Sequence, residues 1–350
     1  MRGRRSVRAA GGPPPNRREF VAQVAVGGLS ALGCGCSQQR LVDTREAGLA
    51  FEDREWTVGF SNASETNTWR TALREAIEEE VAKYPNVHLL ITDANDSPAK
   101  QVSDMEDLLT KGVDGMIIGA ANLYVANPIL DECAKEGIPV VIVDRKVASE
   151  QYATFVSTDH TFGALRGLSR LVSLIGGRGK IAIIEGLPGA GPAVERNAGY
   201  DTVLGRHPQI EAVRQAGDWS RASGQRVMEN IITAHPDLDG IHFDSGEMAV
   251  GGIQALRAAG ITDEMMRDNR PCLTWLDGYN GGLKMIKAGL GKYTIIHPPR
   301  LHGALSVKSM IQIFRGESVP KRQPIELDEV TQENVDQFVA MDKPDDFWTR

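Results

Sequence analysis

From Thr57 onward, short apolar runs alternate with longer segments in which apolar positions recur at helical spacing. Ten runs read as strands: 57–61, 88–93, 115–120, 139–144, 154–159, 180–186, 210–215, 240–245, 272–277 and 293–298. Their near-continuous apolar character, as in PVVIVD, is that of strands buried on both faces. Between the first two, Ala72, Leu73, Ala76, Ile77 and Val81 mark one helix face; between the next two, Val102, Met105, Leu108 and Leu109 do so. Gly112, Gly137 and Gly260 stand where helices stop. This βα rhythm predicts an α/β protein with parallel sheets covered by helices. One sheet of so many strands would be unusually wide, so the chain is expected to divide near Asp159 into two Rossmann-like lobes. The strand at 293–298 would then lead back toward the first.

The first 36 residues follow a different pattern. Six arginines and one glutamate precede or flank an apolar stretch from Val21 to Leu32, interrupted by Gln23. Twelve such residues fall short of the roughly 20 that span a bilayer, and the layout is that of a cleaved export signal. Asn16-Arg17-Arg18-Glu19-Phe20-Val21 resembles a twin-arginine motif, with Asn16 in place of Ser or Thr. Ala31-Leu32-Gly33-Cys34 resembles a lipobox, with Leu32 one place nearer the cysteine than usual; Cys34 is the expected lipidation site and Cys36 the weaker alternative. Residues 37–55 are polar and read as a tether.

Charge and cysteine content narrow the function classes. The chain has 350 residues and a net charge of -7, which becomes -12 once residues 1–33 are removed. No basic surplus is present to neutralise a run of phosphates, so nucleic acid is not an expected partner. Four cysteines form no disulfide framework and no zinc-type spacing, and Cys133 and Cys272 read as buried free thiols.

In open α/β sheets, ligands lie beyond the carboxyl ends of the strands. Here those ends are polar: Ser61-Asn62, Asp93, Asp144-Arg145, Asp159, Glu185, Asp244-Ser245, Asp277 and His297. Two sheets facing each other would bring these groups to one cleft. A carboxylate next to a guanidinium fork, as in Asp144-Arg145, suits the hydroxyls of a polyol, and Trp69 or Trp219 could stack on a sugar ring. Gly186-Leu187-Pro188-Gly189-Ala190-Gly191 has neither dinucleotide nor P-loop spacing, and reads as a plain loop before the helix carrying Glu195-Arg196. Ser245 is not in a nucleophile elbow, and His297 and His302 lack the spacing of a metal pair. No catalytic constellation, metal site or cofactor is expected.

Taken together, VGFS followed by Trp69-Arg70, Val143-Asp144-Arg145, Val156-Ser157-Thr158-Asp159 with Gly163, AVERNAGY at 193–200, Gly217-Asp218-Trp219, the stretch from Ile232 to Leu256, Leu276-Asp277-Gly278 and Tyr293–His297 carry a family resemblance. Over about residues 56–340 the chain resembles the type I periplasmic sugar-binding proteins of ABC transporters, in their ribose- and galactofuranose-binding branch. The resemblance implies two lobes joined by a three-strand hinge, with an N-lobe at 56–158, a C-lobe at 159–297, a return to the N-lobe at 298–325 and a final segment at 326–350 crossing back. It implies a monomeric extracytoplasmic protein that captures a monosaccharide and delivers it to a membrane permease, with no catalysis; membrane contact is expected only through the lipid anchor that the lipobox-like motif places at Cys34. The same fold also serves as a sensor that passes a sugar signal to a membrane receptor or kinase. By position, Ser61, Trp69, Arg70, Asp144 and Arg145 would contact ligand from the first lobe, and Arg196, Trp219, Ser245, Asp277 and His297 from the second lobe and hinge. Three positions depart from the family pattern: Ser245 where Asn is usual, Gly246 where Asp is usual, and His297 where Gln or Glu is usual. Such changes alter hydrogen-bond reach and charge, and point to a ligand other than simply ribose.

Overall fold

The computed structural model describes residues 50–278 and 281–339. The expected export signal with Cys34 and Cys36, most of the expected tether and the end of the expected final segment lie outside these residues. In chain order the elements are β1 (Trp56–Asn62), α1 (Thr68–Val81), β2 (Val87–Asp93), α2 (Pro98–Thr110), β3 (Gly115–Gly119), α3 (Asn127–Glu136), β4 (Val140–Val143) and β5 (Thr154–Thr158). There follow α4 (His160–Leu174), β6 (Gly179–Glu185), α5 (Gly191–Arg206), β7 (Ile210–Ala216), α6 (Arg221–Ala234), β8 (Gly240–Phe243), α7 (Gly246–Ala258), α8 (Asp263–Arg267) and β9 (Cys272–Leu276). The chain continues through α9 (Gly281–Lys287), β10 (Tyr293–Ile296), α10 (Pro299–Phe314), β11 (Arg322–Ile325), β12 (Asp328–Val330) and α11 (Val335–Val339).

The strands form two six-stranded sheets with matching internal order, β2-β1-β3-β4-β5-β11 and β7-β6-β8-β9-β10-β12. All pairings are parallel except that of β12 with β10. The inner strands of each sheet are buried on both faces, which is why they lack a polar face. Ile117, Val141 and Val143 pack toward α1 and α10, whereas Met116, Ile118 and Ile142 pack toward α2 and α3. In the second sheet Ile181 and Ile183 face α4 and α5, while Ala182 and Ile184 face α6 and α7. The predicted face of α1 is buried as read, and Asn67 caps that helix by accepting from the backbone N–H of Arg70 at 3.0 Å. Cys133 and Cys272 are buried free thiols, and burial raises them to about 12 and about 11 respectively.

Three segments pass from one sheet to the other. β5 leads into α4, which packs on β8, β9 and β10; β10 leads into α10, which packs on α1, β3, β4 and β5; and β11 leads directly into β12. Sequence patterning misses β11 and β12, because RQPI and DEV are short, polar edge strands. It also misreads the end of the expected tether: residues 51–53 form a 3-10 turn with Phe51 buried, stacked on Trp56 and covered by the Arg315 guanidinium. A lone aromatic in a polar stretch carries no periodicity, and only the surface it lands on reveals its burial.

Candidate functional site

A cavity between the two sheets encloses about 540 Å³, counting its solvent-open mouth. Asn67, Thr68, Trp69, Arg70, Asp144 and Arg145 line it from the first lobe, and Pro192, Arg196, Trp219, Ser245, Glu247, Asp277 and His297 from the second lobe and second crossing. Most of these come from strand ends or from the first turns of α1, α5 and α7, so the backbone geometry of the βα units places them.

On the first-lobe side, Arg70 donates to Asp144 Oδ2 at 3.0 Å, with both side chains almost fully buried. Burial alone would raise the Asp144 carboxyl. The His160 contact and the Arg70 charge outweigh it and hold the group well below the usual carboxylate range. Asp144 adopts a left-handed backbone, φ 63°, a conformation Asp tolerates better than most residues. Its N–H donates to Val156 O, and its own carbonyl accepts from Ser157 Oγ at 2.8 Å, which fixes the turn. The Arg145 guanidinium donates to the carbonyls of Ala120 and Ala121 at 3.3 Å and lies 5.2 Å from the Trp219 ring of the opposite lobe.

Arg196 organises the second side. It donates to both Asp277 oxygens, at 2.8 and 3.1 Å, and to the Asp244 carbonyl at 2.7 Å. Asp244 does not line the cavity but seats what does: its carboxylate accepts from Trp219 Nε1 at 2.9 Å and Tyr200 Oη at 2.7 Å. Burial presses upward on Asp277, yet Arg196 and then His297 leave it well below its ordinary range. For Asp244, burial wins over Arg196 and the carboxyl is raised. His297 Nδ1 lies 2.6 Å from Asp277 Oδ1, and its ring stacks on His160 with centroids 5.2 Å apart. Burial, only partly offset by Asp277, lowers His297 to about 4, so its imidazole is neutral at pH 7.

Contacts cross the cleft at several points. Trp69 Nε1 donates to the His297 carbonyl at 2.7 Å, and Thr68 Oγ1 donates to Glu247 Oε1 at 3.0 Å. The lobes are therefore closed on the cavity. Among the described residues, Arg70 Nη1, Arg145 Nε and Arg196 Nε are buried donors without a protein acceptor. No cluster of metal-ligating side chains occurs among the described residues, and no helix there is long and apolar enough to cross a membrane.

Residues 58–318 match the family model described as the periplasmic binding protein domain, about three-quarters of the chain. The chain belongs to this family. It is 29% identical over 268 residues to the ribose import binding protein of Bacillus subtilis, covering 77% of this chain and 85% of that protein. Among solved structures, an ABC transporter solute-binding protein from Bacillus halodurans with bound myo-inositol aligns at TM-score 0.76 and 27% identity, over 82% of this chain and 98% of the other. The binding protein of the Shewanella arabinose ABC transporter, bound to L-arabinofuranose, aligns at TM-score 0.76 and 27% identity, over 82% and 95%.

Nine of the ten residues singled out in the sequence lie on the periplasmic binding protein cleft; Ser61 does not. Ser61 is fully buried beneath the sheet, its Oγ accepting from Gln101 Nε2 at 3.2 Å. It shares a strand face with Gly59, which packs on Leu108 and Val113, so period-two alternation turns it toward α2 rather than the cleft. Conversely, the sequence reading missed Asn67, Thr68, Pro192 and Glu247, and the signal for them was the helix N-termini that follow the strands.

Two glycines explain local features. A Cβ on Gly246 would sit 2.8 Å from the Asp277 carbonyl, so the position where the family usually carries Asp has no room for a side chain here. Ser245 caps α7, its Oγ accepting from Met248 N at 3.2 Å, which leaves its hydroxyl hydrogen to donate toward the cavity. A Cβ on Gly186 would fall 2.2 Å from the Trp219 ring. Gly186→Ala should therefore unseat Trp219, changing its fluorescence and weakening ligand binding at least about tenfold. An unchanged emission spectrum would show that the ring is not held there.

Proposed function

We propose that this chain is an extracytoplasmic solute-binding protein that closes on one neutral monosaccharide or cyclic polyol and delivers it to an ABC permease. The observation that carries this reading is the charge balance of the cavity. Among the described lining residues, three guanidinium groups (Arg70, Arg145, Arg196) face three carboxylates (Asp144, Asp277, Glu247), with His297 lowered toward the neutral form. An anionic or cationic ligand would unbalance a site this buried, whereas hydroxyls can donate to the carboxylates and accept from the guanidiniums. Trp69 and Trp219 supply an apolar ring surface from either lobe. The names of the relatives, among them ribose import, myo-inositol-bound and arabinofuranose-bound proteins, support the same ligand class and the ABC role. The twin-arginine motif at 16–21 and Cys34 supply export and a lipid anchor, and the binding unit acts as a monomer without turnover.

Thermal unfolding of residues 37–350 against pentoses, hexoses, furanoses, inositols and sugar acids tests this. A ligand at about 100 times its Kd adds roughly 2.7 kcal/mol, a shift of several degrees. One neutral sugar or polyol should give that shift, and Asp144→Ala should abolish it. A response only to charged ligands would overturn the reading. Sub-micromolar ribose binding with rejection of hexoses would overturn the expectation of a ligand other than simply ribose.

A further inference from the structure

The contact between Thr68 and Glu247 joins residues 179 positions apart, at the first turns of α1 and α7, and it spans the two lobes at the cavity itself. Glu247 is also gripped from its own lobe: Arg221 Nε donates to Oε2 at 3.0 Å and Arg221 Nη2 to Oε1 at 3.2 Å. The Glu247 side chain is 15% exposed against 54% for Arg221, and with the exposed Thr68 it lines the mouth of the cavity.

A carboxylate offers about four acceptor positions, and these three donors leave one for a group inside the cavity. The Arg221 fork persists whether the lobes are open or closed, because both partners belong to the second lobe and α6 packs along α7. The Thr68 bond, by contrast, exists only when the lobes meet. We infer that Glu247 is a positioning residue coupling ligand occupancy to closure: oriented by Arg221, it accepts from a ligand hydroxyl and from Thr68 at once, and so latches the closed form. This inference rests on the proposed sugar-binding role.

The latch is separable from ligand recognition because Thr68 can lose its hydroxyl while Arg221 and Glu247 stay in place. Thr68→Val should weaken binding of every sugar that the wild type takes by a similar factor of about ten, nearly all of it in koff. Thr68→Ser, which keeps the hydroxyl, should remain within about twofold of wild type. In a Glu247→Gln background, Thr68→Val should add less than about twofold, since the two residues act as a unit. Stopped-flow Trp fluorescence reads the rates, and small-angle X-ray scattering of the unliganded chain reads closure without any sugar. A Thr68→Val protein with unchanged koff, or one whose losses differ from sugar to sugar, would overturn the latch while leaving the binding role intact. A wild type that binds no sugar would overturn the binding role instead. In that case a radius of gyration unmoved by Thr68→Val would overturn the interlobe contact as well, and an increase would support it.

Discussion

Arg196→Ala should abolish ligand binding and destabilise the fold in one step. Arg196 is 2% exposed, and its guanidinium neutralises Asp277 through two hydrogen bonds while donating to the Asp244 backbone. Removing it strands the Asp277 carboxylate in the interior with only His297 beside it, and takes away the cation nearest Asp244. Breaking a buried ion pair from one side typically costs about 3–5 kcal/mol, enough to lower the Tm of a chain this size by roughly 5–8 °C. Affinity should fall at least about a hundredfold, because Asp277 and Trp219 lose their seating and the cavity loses one of three cations. Arg196→Lys separates the two effects. Lys keeps the charge but not the two-pronged fork, so it should recover part of the stability and little of the binding. Calorimetry on both variants checks this, and retention of ligand within tenfold by Arg196→Ala would remove Arg196 from the site.

Stability should also drop steeply between pH 7 and pH 5, above the range in which the depressed carboxyls Asp144 and Asp277 titrate. Burial lowers His242 to about 3 and, less strongly because of Asp277, His297 to about 4, while an unfolded histidine titrates near 6.5. Below pH 6.5 the unfolded chain therefore takes up protons that the folded chain refuses. The stability is full above about pH 7 and is lost as pH falls toward the folded values. For the two groups together the loss is about 4 kcal/mol by pH 5, comparable with the total stability of many domains. His302, lowered chiefly by burial, acts in the same direction. Asp144 and Asp277 are depressed carboxyls, so their stabilisation is present above the unfolded value near 3.9 and fails only as the medium becomes more acid than that. Denaturant titrations at pH 7, 6 and 5 give the slope. His242→Asn should reduce it by about one proton, since His242 has a single hydrogen bond, Nδ1 with Thr274 Oγ1, and a buried Nε2 without a partner among the described residues. A flat profile would mean that these rings are protonated in the fold.

The periodicity of the chain determined the ten strands, the buried faces of the helices and the carboxyl-end positions at which the cleft residues stand. It could do so because those features depend on local burial, which repeats every two or 3.6 residues. Residue chemistry at those ends, with the family resemblance, was enough to pick out Asp144, Arg145, Asp277 and His297. Features that depend on partners distant in sequence were settled by the fold alone. Ser61 is turned beneath the sheet, and Asp144, Trp219 and Asp277 are held at positive φ by loops that hydrogen bonds and close packing fix. Asp244 became a seat for Arg196, Tyr200 and Trp219 rather than a cavity wall. The pairing of Thr68 with Glu247 is the clearest case. Neither residue lies on an apolar stripe or at a strand end, and their meeting depends on three crossings that fold one lobe over the other, a geometry to which no short-range pattern is sensitive.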